Sequence, residues 1–178
     1  MTGGIIFYQS KYGAAEKYAK WLSDKTGFDA VQTAKAVPDQ IRDHEVIVLC
    51  GGIYASGIAG LAFLRKNQRL LKGKRTAVFC VGASPFDEKA LNEVTAHNMK
   101  EGLKEIPVFY GRGAWDEEAM SFKDRTLCRI LQKAVAKKDP AEYEPWERAL
   151  MSAVGKKCDW TDPEYLEPLT NYVMEKDN

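Results

Sequence analysis

The chain has no Cys-x-x-Cys, only two histidines, no long apolar run and almost no excess of either charge, and each absence removes a class of function. Its four cysteines, Cys50, Cys80, Cys128 and Cys158, are widely separated, and only His44 and His97 could join them. A metal centre or a disulfide framework is therefore not expected. Cys50 and Cys80 sit inside apolar runs and read as reduced core residues. No basic leader precedes a long apolar stretch, and the first strand begins almost at Met1. Neither a signal peptide nor a membrane span is expected, and the protein reads as cytoplasmic. Lys and Arg number 26 against 25 Asp and Glu, a net charge of +1. That balance gives no electrostatic reason for nucleic acid as a partner and leaves small molecules or a protein surface. Gly-x-Gly-x-x-Gly is missing from the first turn, which weighs against a nicotinamide dinucleotide. Repeats and low-complexity segments are absent as well.

What is present is ordinary globular material: 178 residues, 45% hydrophobic, 29% charged and 11% aromatic. This suits one domain over 1–178 with a sizeable core. Four apolar runs read as buried parallel strands: Ile5-Ile6-Phe7-Tyr8, Val46-Ile47-Val48-Leu49-Cys50, Ala77-Val78-Phe79-Cys80-Val81 and Ile106-Pro107-Val108-Phe109-Tyr110. Phe28 to Thr33 adds a short edge strand. Helices are predicted over Glu16 to Lys25, where Ala15, Tyr18, Ala19 and Leu22 share a face, over Ile58 to Leu71, and over Asp87 to Leu103. The alternation predicts a doubly wound α/β fold with a five-stranded parallel sheet in the order 2-1-3-4-5. From about 111 to 160 no strand is visible, and a helical insertion is expected before a last helix that starts at Asp162-Pro163.

Three short segments follow the carboxyl ends of central strands, the edge where open α/β sheets bind ligands. The first, Ser10-Lys11-Tyr12-Gly13-Ala14-Ala15, offers a hydroxyl, a tight turn and small residues before a helix start, a pattern suited to phosphate. The second is Gly52-Ile53-Tyr54-Ala55-Ser56-Gly57, and the third is Gly82-Ala83-Ser84-Pro85-Phe86. Tyr54 and Phe86 are aromatic among small neighbours, so a flat ring could lie between them. A phosphate-bearing planar cofactor is implied, and FMN fits best among the common ones.

The first segment resembles the phosphate loop of the flavodoxin family, a serine or threonine, two variable positions, glycine, one more variable position and then threonine. Ser10 and Gly13 match it, while Ala15 stands where the family has its final hydroxyl, a loss of about 1 kcal/mol of phosphate hydrogen bonding. Ile53-Tyr54-Ala55-Ser56-Gly57 is similar to the family's second loop with tyrosine for tryptophan, which implies that Tyr54 stacks on the flavin. The third loop lacks the aspartate and tyrosine usual in small carriers. The helical insertion, ending in Cys158-Asp159-Trp160-Thr161-Asp162, resembles that of the flavodoxin-like menaquinone-dependent protoporphyrinogen dehydrogenases. The resemblance implies an FMN-dependent oxidoreductase with a small-molecule or quinone substrate, or a redox protein as partner. An electron carrier and a flavin-free binding or regulatory domain are the alternatives, and the net charge of +1 argues against the usual acidic carrier.

No residue is assigned a catalytic role. Arg112, after the last strand, is placed either on a substrate carboxylate or on the surface, and His97 on the surface. Trp115, Trp146 and Trp160 either line a pocket or fill the core. The amphipathic stretch Phe122 to Lys138 is expected to pack its apolar stripe on the domain. Its basic polar face is also the pattern of a helix making peripheral contact with a membrane, where a quinone would be found.

Overall fold

A computed structural model describes residues 3–175. The strands are β1 (Gly4–Gln9), β2 (Asp29–Gln32), β3 (Val46–Tyr54), β4 (Gly57–Ile58), β5 (Arg75–Gly82), β6 (Val108–Arg112), β7 (Ala114–Asp116) and β8 (Lys157–Asp159). The α-helices are α1 (Ala14–Thr26), α2 (Pro38–Arg42), α3 (Leu61–Lys66), α4 (Glu88–Asn98), α5 (Phe122–Val135), α6 (Pro145–Ala153) and α7 (Glu167–Met174). The main sheet runs β2-β1-β3-β5-β6 with every neighbour parallel, the expected order 2-1-3-4-5 of its five long strands. β4 is a two-residue addition that turns back on β3.

The apolar runs become strands because helices cover them on both sides. Ile5, Phe7, Ile47, Leu49, Val78 and Cys80 face one layer, where Leu61, Leu64 and Leu103 meet them. Ile6, Val48, Cys50, Ala77, Phe79 and Val81 face the other, against Tyr18, Ala19 and Leu22 of α1 and Leu169 and Val173 of α7. Burial pushes the thiols of Cys50 and Cys80 up to about 12, so both are inert neutral core groups.

Several boundaries differ from the sequence reading. The predicted helix Ile58–Leu71 is shorter, α3 followed by a 3₁₀ turn at Gln68–Leu71. The one over Asp87–Leu103 likewise divides into α4 and a 3₁₀ turn at Glu101–Leu103. The last central strand starts two residues later, because proline at 107 cannot donate to the ladder, and it runs on to Arg112.

The expected helical insertion is a correction in part. Two helices form there, α5 and α6, but β7 and β8 pair antiparallel around them, matching Ala114 with Asp159 and Asp116 with Lys157. Three residues each are too few to show a period-two pattern, so the ribbon leaves no trace in the sequence. It closes the base of the insertion next to the main sheet, where the Trp160 N–H donates to the Gly113 carbonyl at 3.0 Å. Lys17 of α1 reaches across to Asp159 at 2.9 Å and to the Thr161 hydroxyl at 2.7 Å. Tyr18, fully buried, donates to the Arg112 carbonyl at 2.6 Å and accepts from the Asp162 N–H at 3.1 Å, linking α1 to both ends of the insertion.

Two outcomes follow from these contacts. Gly51 lies where a Cβ would overlap the Ala59 carbonyl, a backbone atom that cannot swing aside. Gly51→Ala is expected to lower unfolding stability by about 2 kcal/mol, read from urea denaturation. Asp159 accepts from the Thr161 hydroxyl and from Lys17, which hold its carboxyl at about 2 instead of the ordinary 3.8. Its contribution is therefore complete above about pH 4 and is lost as pH falls through about 2. Asp159→Asn is expected to flatten that acid limb, measured as unfolding stability at stepped pH, and to leave the neutral side without a slope.

Candidate functional site

β1, β3 and β5 all end at one edge of the sheet, so the three segments singled out in the sequence meet there. β1 stops at Gln9, and Ser10 to Gly13 make the turn into α1. Gly13 sits at φ 96°, a left-handed conformation that glycine adopts without strain, and nothing lies within 4 Å of where its Cβ would be. Ser10 Oγ accepts from the Gly13 N–H at 3.0 Å and pins the turn. Ala14 and Ala15 belong to the first turn of α1 rather than to the loop. The backbone N–H groups of Ala14, Ala15 and Glu16 have no acceptor among the described residues, and the first helical bond is Lys17 N–H to Gly13. Three free donors at a helix start, beside open space, form an anion cradle.

The second segment is a hairpin, not a loop. Gly52, Ile53 and Tyr54 extend β3, and Gly57 begins β4, with Ala55 and Ser56 making the two-residue turn. Both turn residues have positive φ, 47° and 66°, which non-glycine residues adopt at a cost of order 1 kcal/mol each. Asn98 holds them there. Its Oδ1 accepts from the Ile58 N–H at 3.0 Å and its Nδ2 donates to the Ser56 carbonyl at 2.7 Å. Sequence reasoning missed Asn98; a polar amide sharing a helix face with Leu91 and Val94 was the available signal.

Tyr54 folds back from this hairpin over Gly52, where a Cβ would collide with the phenol. Its hydroxyl accepts the Lys11 N–H at 3.0 Å, and its ring meets Tyr12 edge-on at 6.2 Å. The first and second segments are thus bonded to each other, and Tyr54 stays about a third exposed, at 36%. Ile53 is partly buried and packs on the core.

The third segment starts inside β5 at Gly82 and leaves the sheet through Ala83, Ser84 and Pro85. β6 steadies it. Tyr110 donates its hydroxyl to the Ser84 carbonyl, and Arg112 Nε donates to the Ala83 carbonyl at 3.0 Å. Burial pushes the Tyr110 phenol up, so it stays a neutral donor. The Arg112 guanidinium also lies 4.0 Å above the Trp160 ring, a cation–π contact. It is therefore neither a plain surface residue nor free to swing. Phe86 is exposed and tilts toward Tyr110 at 6.2 Å. Beside Phe86 a cavity of about 530 Å³ opens along the β6 edge, lined also by Leu91, Tyr110, Asp162 and Tyr165. None of its lining residues comes from the first two segments.

The insertion adds a contact that no local pattern announces. Asp124, in the first turn of α5, takes the Lys11 ammonium and the Tyr12 hydroxyl together. The Ser121 N–H donates to the Tyr12 hydroxyl at 3.2 Å, and Ser121 Oγ caps α5 at the Asp124 N–H. The Lys11 ammonium, then the Tyr12 hydroxyl, hold the Asp124 carboxyl below its usual range, while Asp124 raises Lys11. The insertion is in this way clasped to the first loop. Among the described residues, no group of His, Cys, Asp and Glu could hold a metal ion.

The donor set fits a flavin phosphate. Three N–H groups at the start of α1 have no acceptor among the described residues, the space beside Gly13 is open, and the two aromatic residues of the neighbouring segments stand at the same sheet edge. Ala15 is the departure: it is buried with the core side of α1 and brings no hydroxyl.

An open parallel sheet with an anion cradle after β1 and aromatic-bearing segments after its neighbours β3 and β5, all at one carboxyl edge, defines a flavodoxin-like protein. Residues 5–143 match the flavodoxin domain family, and the chain belongs to that family. Solved structures with similarity include a flavodoxin from the domain Archaea, 14% identical, covering 72% of this chain and 92% of that one at a TM-score of 0.42. Two-electron reduced flavodoxin from Megasphaera elsdenii is 19% identical, covering 60% and 82% at 0.46. An azoreductase from Bacillus anthracis str. Sterne is 9% identical, covering 85% and 98% at 0.38. The likeness to these is one of fold alone. No match is found among curated proteins.

Asp124→Ala is expected to release Lys11 and Tyr12 while the sheet stays intact. Amide hydrogen exchange of residues 120–126 should rise by about tenfold, with that of β1, β3 and β5 unchanged.

Proposed function

We propose that this protein is an FMN-dependent oxidoreductase whose phosphate site is the turn Ser10 to Gly13 with the start of α1. The observation that carries this reading is the set of N–H groups at Ala14, Ala15 and Glu16 without an acceptor among the described residues, next to the open space at Gly13 on the carboxyl edge of the sheet. The flavin, when bound, supplies the electron or hydride chemistry. The chain's part is binding and orientation. Ser10 fixes the turn, Tyr54 and Phe86 border the ring, and the Arg112 and Tyr110 bonds keep the third segment in register beside it. Lys11, Tyr12 and Gly52 shape the ends of the site, while Ala55, Ser56 and Gly57 and then Ala83, Ser84 and Pro85 supply backbone groups along its rim. None of these side chains needs to act as an acid or base.

Within this reading the substrate is a quinone or porphyrinogen-like small molecule, as in the protoporphyrinogen dehydrogenases that the insertion resembles, with peripheral membrane contact bringing the protein to a lipid-borne quinone. Two features support an enzyme over a carrier. The net charge of +1 provides no acidic face for a basic redox partner, and the insertion is bonded onto the first loop through Asp124. A flavin-free binding domain is the reading that Ala15 favours, because a phosphate there lacks one hydroxyl partner.

Titration with FMN, followed by flavin fluorescence quenching, separates these readings. Wild-type protein is expected to bind stoichiometrically and to be yellow when purified. Ala15→Thr should strengthen binding about fivefold, the worth of one added hydrogen bond. Gly13→Val should abolish it, since valine is strained at φ 96° and projects into the cradle. Binding by Ala15→Thr alone would establish the flavin-free domain, and full affinity in Gly13→Val would move the phosphate elsewhere. Turnover with a menaquinone analogue and a porphyrinogen then distinguishes enzyme from carrier.

A further inference from the structure

α5 does not do what its periodicity led us to expect. The stripe should pack on the domain, but only Gln132 and Val135 of its 14 residues are buried. Leu127 is 49% exposed, Ile130 58% and Leu131 41%, and Phe122 at the start of the helix is 84% exposed. At about 100° per residue, Leu127, Ile130, Leu131 and Ala134 fall within one arc of roughly 100°. Lys123 lies inside that arc, and Lys133 and, just past the helix, Lys137 lie beside it, all exposed. The one acid of α5, Asp124, is turned away toward Lys11 and Tyr12. The outward face is therefore aliphatic and cationic with no negative charge of its own.

An apolar helix face of this kind needs a cover, and its charges decide which one. A second copy seated on it symmetrically would bring Lys123 and Lys133 against their own counterparts. A bilayer surface with anionic lipid suits both halves of the pattern. Aliphatic side chains enter the boundary of the acyl chains, while lysine stems lie along that boundary and carry their ammonium groups to the lipid phosphates. Phe122, at the end of the helix nearest the first loop, adds an aromatic anchor.

We propose that the outward face of α5, through Phe122, Leu127, Ile130 and Leu131 with Lys123 and Lys133, seats this protein on anionic bilayer surfaces. The assignment stands independently of the flavin reading, since it uses no residue of the phosphate site. It has a spatial result all the same: Asp124, at the border of the same apolar arc, is clasped to the first loop, so that loop is held close to the lipid surface.

The test is cosedimentation of the full chain with vesicles of phosphatidylcholine alone and of phosphatidylcholine mixed with phosphatidylglycerol, at low and high salt. Binding is expected on the mixed vesicles, weakened by salt, and little on phosphatidylcholine. The double variant Leu127→Asp/Ile130→Asp and the double variant Lys123→Glu/Lys133→Glu should each lose about tenfold or more in partitioning. These positions are exposed, and circular dichroism should show both variants folded. Absence of wild-type binding to either vesicle, or equal binding by wild type and both variants, overturns the proposal. So does a dimer in light scattering that the variants dissociate without any vesicle binding, which would make the face a contact between copies. Salt-resistant binding of an acidic protein domain at this face, with none to vesicles, would overturn it in favour of a protein partner. FMN titration of the same samples reports separately on the flavin reading.

Discussion

Everything at this site depends on three parallel strands that are buried on both faces. Because β1, β3 and β5 carry helices above and below, these strands can present polar groups at their ends without breaking the core. The parallel arrangement then puts all three carboxyl ends on one side. The chain fills that edge with a turn that leaves three amides free, a strained hairpin and a segment tied down by β6. Their convergence is fixed by the same burial that stabilises the fold.

The supports of the site are mostly polar side chains arriving from a distance. Asn98 holds the Ala55–Ser56 turn from α4, Tyr110 and Arg112 hold the third segment from β6, and Asp124 holds the first from the insertion. Each satisfies a backbone or hydroxyl group near the rim. The hairpin shows why this matters: two non-glycine residues at positive φ persist only when the surroundings fix them. The rim is thus fixed by long-range hydrogen bonds, which at Ala55 and Ser56 hold conformations that are costly on their own.

The sheet order, and the meeting of the three segments at one edge, were legible in the sequence because they rest on local signals. Continuous apolar runs mark doubly covered strands, and small residues after them mark the turns. The supports were not legible, since Lys11 and Asp124 are 113 positions apart and nothing in either neighbourhood announces the other. The second segment read as a loop because its extension of β3 carries two glycines, residues that usually end strands. α5 illustrates a different limit. Periodicity says which side chains share a face, but not whether anything lies opposite them. The β7–β8 ribbon escaped because pairs of three residues have no period to detect.

That ribbon has a consequence for how the chain can vary. β7 and β8 bring residues 114–116 and 157–159 side by side, so the segment between them leaves and rejoins the main fold at nearly one point. Such a segment can change length at a cost that grows only with the logarithm of its size, and without shifting the strands it branches from. Its ties to the frame lie at its two ends and at one clasp: Tyr18 and Lys17 hold the ends, and Asp124 holds the first loop. Between them the insertion is a replaceable handle on a fixed frame, and a lineage could exchange it for another while keeping the sheet edge unaltered.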